Sequence, residues 1–327
     1  MSDACPTLKP IHAVVLDKDN GEIKALERFI KWIEFTKLLA KRFDLEPQQI
    51  RDSIRRAHAE IRFHDSVGLL QEITQELRGN FIQISQLQRA LSQEWARATE
   101  YYPGIVPALR HWSQQGTLVI THTDCEAIPF ISNVYHATRN AIRNGDFKRN
   151  RTALGFYDVI SCTNGLLPST DSRDERDDYI DYYSQTYGVP RAFIDRFLLH
   201  PNFIIKDGDY KPSAKSTRAL LDQFNVDPER AIYIGDSDKD GIEAGQLGVD
   251  FIWAAYGTKL SPELVEFCQD VASSAYGYGY DAMLTSLTEK NVAMALRVDD
   301  SEKLGGHLTG RYRFERHPLK AHGFRHS

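Results

Sequence analysis

The sequence predicts an α/β fold: a doubly wound parallel sheet into which an all-helical module is inserted. Short apolar runs of strand type alternate with helical patterns in segments 11–21 and 101–257, which is typical of a parallel sheet with helical crossovers. Between about 22 and 100, apolar residues recur at helical spacing and almost no strand signal is present. Three of the predicted core strands are also followed directly by a polar residue, as expected at the carboxyl edge of such a sheet.

The first strand is indicated by residues 11–16, IHAVVL, a short apolar run rich in β-branched residues that ends at Asp17. The helical module follows it directly. Its pattern is carried by the segments EIKALERFIKWIEFTKLLAKRF, HDSVGLLQEITQELRG and ISQLQRALSQEWARA. These three segments each have apolar positions three and four residues apart, so the module is predicted to be a bundle of amphipathic helices.

The remaining core consists of repeated helix–strand units. A turn at Tyr102 to Gly104 precedes a predicted helix that Gly116 closes, and the next predicted strand runs from Thr117 to Ile120. Further along, the segment SAKSTRALLDQF predicts a helix, AIYI a strand, DGIEAGQLG a second helix and FIWAAYG another strand. The order of these elements is the βαβ order of a parallel sheet.

Two segments fit this pattern less well. An insertion with some helix is predicted at about 165–205, which contains the acidic run DSRDERDDYIDYY, and it is expected to pack on or beside the core. The polar, Arg- and His-rich end of the chain predicts a flexible tail at 291–327, with a binding arm as the alternative. The predicted core is therefore discontinuous, at 1–21 and 101–290, and the helical module occupies 22–100.

The composition is that of a soluble globular protein, with 327 residues, 42% hydrophobic and 26% charged. A net charge of −5 gives no excess of positive charge, so nucleic-acid binding is not expected. The four cysteines are widely separated and lack the spacing of a zinc site. No apolar run approaches the roughly 18 residues that span a bilayer, and the chain start lacks a secretion signal, so a cytoplasmic location without membrane contact is expected.

Candidate functional side chains follow three of the predicted strands. Asp17 and Asp19 come directly after the first strand, Thr121 follows the strand after the helical module, and Asp236 and Asp240 follow a later one. An Asp-x-Asp pair alone is weak evidence, because loops are rich in aspartate. The carboxyl ends of parallel strands meet at one edge, however, so a single crevice can collect all of these residues.

A lysine belongs to the same predicted site. Lys211 lies ahead of the helix that leads into the Asp236 strand, while Lys206 also follows an apolar run, FII. The Lys211-Pro212 pair and its spacing to Asp236 favour Lys211. Asp238 is interpreted as a solvated loop acid.

These residues, in this order, resemble the four motifs of the haloacid dehalogenase-like hydrolase superfamily, in its phosphatase branch with a helical cap. The resemblance covers about 11–20, 102–124 and 209–257. The motifs are Asp17-Lys18-Asp19, the apolar strand ending in Thr121, Lys211-Pro212, and the run from Gly235-Asp236-Ser237 to Asp240.

The resemblance implies a role for each residue. Asp17 would be a nucleophile that forms an aspartyl-phosphate, and Asp19 would act as its acid–base partner. Thr121 would donate a hydrogen bond to a phosphoryl oxygen, and Lys211 would offset negative charge beside the nucleophile. The expected substrate is a small phosphorylated metabolite, and residues 22–100 would form a cap over it.

The resemblance also implies a Mg²⁺ ion. It would sit between Asp17, the backbone carbonyl of Asp19 and Asp236, and Asp240 would assist through a water or by orienting a neighbour. A dehalogenase generally lacks the second aspartate, so Asp19 favours phosphoryl chemistry. Two alternatives remain open at this point: a phosphomutase on the same scaffold, and a non-catalytic binding or regulatory protein.

The sequence departs from the family pattern at three positions. Gly21 and Glu22 stand where the first motif commonly has threonine and an apolar residue, and His122 stands where asparagine is frequent. These departures put rate and substrate in question more than reaction type. A basic stretch in the helical module is interpreted as a solvated helix face; it comprises Arg55, Arg56, His58, Arg62 and His64.

Overall fold

A seven-stranded, all-parallel sheet forms the centre of the molecule, with strand order β5-β4-β3-β2-β6-β7-β8. The computed structural model describes residues 8–24, 27–60, 73–75, 77–147, 155–163, 173–206, 209–272 and 279–321. The strands are β1 Lys9–Ile11, β2 Ala13–Asp17, β3 Leu118–Glu126, β4 Val159–Thr163, β5 Phe203–Lys206, β6 Ala231–Gly235, β7 Asp250–Trp253, β8 Met294–Arg297 and β9 Tyr312–Phe314. The predicted α/β fold with a parallel sheet is confirmed.

The central strand β2 is buried along its whole length. Val14 and Leu16 belong to one apolar cluster, while Ala13 and Val15 belong to the cluster on the opposite face. Helices cover both faces of the sheet, which is why this strand is a continuous apolar run rather than an alternation of apolar and polar residues.

The helices of the described residues are α1 Glu27–Phe43, α2 Pro47–Glu60, α3 Phe81–Ala98, α4 Ile105–Gln115, α5 Ala127–Arg143, α6 Arg173–Tyr187, α7 Arg191–Leu198, α8 Lys215–Gln223, α9 Asp238–Leu247, α10 Pro262–Ala272, α11 Gly279–Glu289, α12 Leu304–Thr309 and α13 Pro318–Ala321. Helix α4 lies between Gly104 and Gly116, as the turn and stop signals predict. Both glycines have left-handed backbone angles, with φ of 84° and 77°.

Helices α1, α2 and α3 form the helical module between β2 and β3. The chain enters and leaves it through adjacent extended segments, where Ile23 and Tyr101 form an antiparallel bridge. The core of the module includes side chains from another part of the chain. Leu264 and Phe267, from α10 near the other end of the chain, are buried in the same cluster as its apolar residues.

The insertion predicted at 165–205 contains the helices α6 and α7 and, near its end, strand β5. Strand β5 pairs in parallel with β4 and extends the sheet by one strand at that edge. The apolar run FII before Lys206 is this edge strand.

The prediction of a flexible tail is wrong for residues 292–321, which the structure describes. Strand β8 is the edge strand of the large sheet, paired with β7, and β9 pairs with β1, where Ile11 lies opposite Phe314. Sparse apolar residues account for this folding, because Val298, Leu304 and Leu308 are all fully buried in the core. The polar composition of this segment reflects its exposed face.

Two predicted strand ends also differ from the structure. Strand β3 continues from the predicted end at Ile120 to Glu126, through an irregularity after His122. Strand β7 ends at Trp253, and a 3₁₀ turn at Ala255–Thr258 follows it. None of the helices in the described part of the chain has the length and apolarity needed to cross a bilayer.

Candidate active site

Three aspartates meet at the carboxyl edge of the sheet. Asp17 ends β2, while Asp236 and Asp240 follow β6, the strand beside it. One carboxylate oxygen from each lies within 4.8 Å of the others, and all three residues are buried. The structure therefore brings together these residues, as their positions after neighbouring parallel strands predict.

Asp240 is held by the first turn of helix α9. The Ser237 side chain caps the helix by accepting from the Asp240 backbone amide, and the Asp240 carboxylate accepts from the Ser237 amide at 3.0 Å and from its hydroxyl at 2.7 Å. The Asp240 carboxyl group packs closely against the backbone of Gly235, since a Cβ at Gly235 would lie 2.5 Å from the Asp240 carboxyl carbon. Glycine at position 235 is thus required for this arrangement.

Lys211, and not Lys206, reaches the acidic cluster. Its ammonium nitrogen contacts Asp17 and lies 2.7 Å from Asp240. Burial alone would lower the pKa of Lys211, but the two aspartates raise it well above its ordinary value, so the ammonium stays charged. The Lys206 ammonium instead lies 2.8 Å from Asp124.

The cluster carries more negative charge than Lys211 can balance. Burial raises the pKa of Asp17 well above its ordinary value, and the neighbouring carboxylates act in the same direction against the charge of Lys211. Burial, followed by the charge of Asp240, has the same effect on the pKa of Asp236. One oxygen of Asp236 is also buried without a hydrogen-bond partner in the described residues. Hard oxygen ligands with uncompensated charge are what a Mg²⁺ ion requires, so these residues fit that ion.

Asp19 lies beside this cluster, and each of its carboxylate oxygens has a polar contact. One carboxylate oxygen is 2.8 Å from the ammonium of Lys18, and the other accepts a hydrogen bond from Thr123 at 3.4 Å. Lys18 is fully buried. No role for Lys18 could be predicted, because the middle residue of an Asp-x-Asp motif carries no pattern of its own.

Thr121 lies on strand β3 beside Leu16, one residue before Asp17 in the register of the neighbouring strand β2. It is fully buried, pairs in register with Leu16 rather than Asp17, and donates its hydroxyl to Glu22 at 3.3 Å. Burial raises the pKa of Glu22 from an ordinary 4.5 to about 8, against the opposing effects of Thr121 and Lys18. Glu22, which departs from the first family motif, is thus hydrogen-bonded to Thr121, the residue that ends the second motif.

This buried carboxyl group makes a prediction for stability. Folding raises the pKa of Glu22, so its stabilising contribution is complete below pH 4.5 and is lost as the pH rises towards about 8. Glu22→Gln removes this titration. The free energy of unfolding of the variant should therefore rise relative to that of the wild type as the pH increases through that range. The upper limit is about 5 kcal/mol, at about 1.4 kcal/mol per pKa unit. Urea unfolding at pH 5 and pH 8 with chelator measures the difference, and parallel pH dependences would contradict the prediction.

The loop that follows Asp17 is fixed although it lacks the threonine hydroxyl that is common in the family motif. The Tyr256 hydroxyl donates to the Gly21 carbonyl at 2.5 Å, and the Asn20 amide donates to the Ile23 carbonyl at 2.8 Å. A Cβ at Gly21 would lie 2.5 Å from the Asp17 carbonyl oxygen, which only glycine avoids. Tyr256 therefore supplies a restraint that the sequence pattern does not reveal.

Asp238 is not the solvated loop acid that the sequence suggests. It is buried, accepts a hydrogen bond from Ser286 at 2.6 Å and pairs with Lys290, both on the far side of helix α9. The acids of the fourth motif therefore divide between two faces of one helix. The helical periodicity of positions 238 and 240 is the signal for this division.

The basic stretch of the helical module is only partly described. Arg55 pairs with Asp52 on its own helix at 3.2 Å, and Arg56 donates to Ser53. The positions of the His58 side chain, Arg62 and His64 lie outside the described residues.

Comparison with known protein families gives a match to one segment of the chain, which contains part of the candidate site. The sequence model of the haloacid dehalogenase-like hydrolases matches residues 203–254, which hold Lys211, Asp236 and Asp240. No curated protein matches the chain.

Solved structures with a similar course of the chain include a hydrolase from Pseudomonas syringae, 12% identical, with a TM-score of 0.44 over 92% of this chain and 100% of that one. A haloacid dehalogenase family hydrolase from Deinococcus radiodurans R1, with bound phosphate and sodium, is 14% identical, with a TM-score of 0.43 over 92% and 96%. A mutant of CbbY from Rhodobacter sphaeroides, in complex with xylulose-(1,5)bisphosphate, is 14% identical, with a TM-score of 0.40 over 93% and 100%.

Similarity at this level does not transfer an activity. The family-model match, the parallel sheet and the order of the motifs along it confirm the resemblance of this chain to the haloacid dehalogenase-like hydrolases.

Proposed function

We propose that the protein is a Mg²⁺-dependent phosphomonoester hydrolase that acts on a small phosphorylated metabolite. The observation that supports this most is the buried cluster of Asp17, Asp236 and Asp240 with the Lys211 ammonium at the carboxyl edge of the sheet. Phosphoryl transfer needs an in-line nucleophile and neutralisation of the charge on the transferring oxygens, and this cluster offers both.

In the proposed reaction, a carboxylate oxygen of Asp17 attacks the phosphorus atom and forms an aspartyl-phosphate. Asp19 gives a proton to the oxygen of the leaving alcohol and later removes one from the water that cleaves the intermediate. The contacts of Asp19 with Lys18 and Thr123 would hold its carboxyl group in one orientation between these two steps.

Lys211 and Thr121 would stabilise the charge on the phosphoryl oxygens. The Thr121 hydroxyl donates to Glu22 at 3.3 Å, so it would have to turn from Glu22 to donate to a phosphoryl oxygen. Asp17, Asp236 and the Asp19 backbone carbonyl, with Asp240 beside them, would hold a Mg²⁺ ion, which would further neutralise that charge.

A phosphomutase is the second candidate, because it shares the aspartyl-phosphate step and returns the phosphoryl group to a sugar instead of water. A binding or regulatory protein is a third, since Gly21 and Glu22 depart from the family motif. The tight loop around Gly21 and the Tyr256 contact support an intact nucleophile position and so favour an enzyme.

Assays of p-nitrophenyl phosphate and a panel of metabolite phosphates, with Mg²⁺ or with chelator, test the proposal. We expect release of inorganic phosphate that requires Mg²⁺. Isomerised sugar phosphate without free phosphate would establish the mutase instead. Tight binding of a phosphorylated ligand with no turnover would favour the binding protein.

A further inference from the structure

Behind the acidic cluster, buried polar contacts lead away from Asp240 on the side of helix α9. The Tyr233 hydroxyl lies 3.3 Å from an oxygen of Asp240 and 3.1 Å from an oxygen of Glu243. The other oxygen of Glu243 accepts from Thr217 at 2.5 Å and lies 3.2 Å from the Nε2 atom of His122. Tyr233, Glu243 and His122 are all buried.

From His122 the contacts return to Lys211. The Lys206 ammonium lies 3.4 Å from the His122 Nε2 atom and 2.8 Å from the Asp124 carboxylate. Asp124 in turn accepts a hydrogen bond from the backbone amide of Lys211 at 3.1 Å. Since the Lys211 ammonium contacts Asp240, these residues form a ring of buried polar neighbours.

Glu243 is the acceptor on which this ring depends. Burial would raise its pKa, but His122, Lys211 and Thr217 hold the pKa of Glu243 below its ordinary value, so the group is an ionised acceptor. An ionised carboxylate can only accept, so Tyr233 and Thr217 donate their hydroxyl hydrogens to Glu243, and the His122 contact with Glu243 has its proton on Nε2. The Lys206 ammonium beside that Nε2 atom is also a donor, so these two groups are neighbours without a hydrogen bond. Removing the charge of Glu243 would leave these buried donors without a strong acceptor.

The ring holds Lys211 at both ends. Asp124 fixes its backbone amide, while Asp17 and Asp240 fix its ammonium, and the Tyr233 hydroxyl, with one hydrogen to donate, lies between the carboxylates of Asp240 and Glu243. A long lysine side chain loses much rotamer freedom when its head group is held, and a preset position avoids that cost at the moment of reaction.

We propose that Glu243 and Tyr233 are positioning residues that act through Asp240 and Lys211 on the nucleophile Asp17. This inference rests on the proposed function and adds to it a set of residues outside the four family motifs. The sequence contains a trace of it, because Glu243 follows Asp240 by three positions and so lies on the same face of helix α9.

The test uses Tyr233→Phe, which removes one oxygen atom, Glu243→Gln, and the double variant, all in the full-length protein. We expect each single change to lower kcat for p-nitrophenyl phosphate by about 10- to 100-fold. Replacing residues that hold the directly contacting groups in place typically has an effect of this size. KM should change by less than about threefold, because the loss falls on the transition state. The double variant should be no worse than the poorer single variant, because both changes break one path.

Asp158→Asn is the matched control, since Asp158 is also a buried carboxylate with a backbone donor and a lysine partner but lies at the opposite edge of the sheet. It should lose stability without losing kcat. Crystal structures of Tyr233→Phe and Glu243→Gln provide a readout that needs no turnover, and the Lys211 ammonium should leave Asp17 or Asp240. If the variants keep the wild-type kcat and Lys211 stays in place, the inference is overturned. If the wild type has no phosphatase activity but the Lys211 ammonium is displaced in the variants, only the proposed function is overturned.

Discussion

Asp17→Asn should reduce kcat for any phosphomonoester by at least about 10³-fold, because an amide cannot form the aspartyl-phosphate. The expected size follows from the proposed role of the Asp17 carboxylate as the group that forms the bond to phosphorus, rather than as a contributor to binding. KM should change little, since Lys211 remains to bind the phosphoryl group, and Asp236 and Asp240 remain to bind the proposed Mg²⁺ ion. Steady-state kinetics at saturating Mg²⁺ measure the loss.

The wild-type protein also offers a direct sign of the same step. Brief incubation with a ³²P-labelled substrate and acid quenching should leave label on the protein, on a peptide that contains Asp17. The Asp17→Asn variant should take up no label while keeping the wild-type far-UV circular dichroism spectrum. Full activity in this variant would rule out Asp17 as the nucleophile.

Asp236→Asn should weaken Mg²⁺ binding by at least about 100-fold, because it removes the charge of a proposed ligand. Changes to residues that only support the ligands already lower metal affinity by about 10- to 100-fold. The partnerless oxygen of Asp236 is the reason for expecting so large an effect at this residue, among the residues that the structure describes. Calorimetric titration of the chelator-treated protein with Mg²⁺ measures the affinity without any substrate.

Asp238→Asn is the control for this experiment. It changes a buried aspartate two positions away whose carboxylate is engaged with Ser286 and Lys290 instead of the cluster. Its Mg²⁺ affinity should stay within about threefold of wild type, because charges that are already paired contribute little at a distance. Equal losses of affinity in the two variants would mean that the ion is not bound by Asp236.

The part of the site that lies at strand ends could be predicted from the sequence. Asp17 and Asp236 each follow a strand that is mostly apolar, and parallel pairing alone then brings them to one edge. Lys211 could be chosen over Lys206 by its proline neighbour, and the structure brings Lys211 to Asp17. Local patterns were sufficient for these residues because strand direction fixes where each chain segment ends.

Contacts between distant segments could not be predicted in this way. The Glu22–Thr121 bond joins two motifs across the sheet, and nothing in the neighbourhood of either residue indicates the other. The folded end of the chain was missed for a related reason. Val298 and Leu304 are isolated among polar residues, and only their partners in the core show that they are buried.

The packing of helix α10 has a consequence for how the chain can be divided. Leu264 and Phe267 are 4% and 2% exposed, and each contributes about 1.5–3 kcal/mol of apolar burial to the cluster of the helical module. A fragment that ends before residue 262 would leave that surface open to water, and so would the isolated segment 22–100. The proposed cap is therefore a composite of two remote stretches of sequence, and any exchange of this cap between related enzymes has to transplant both.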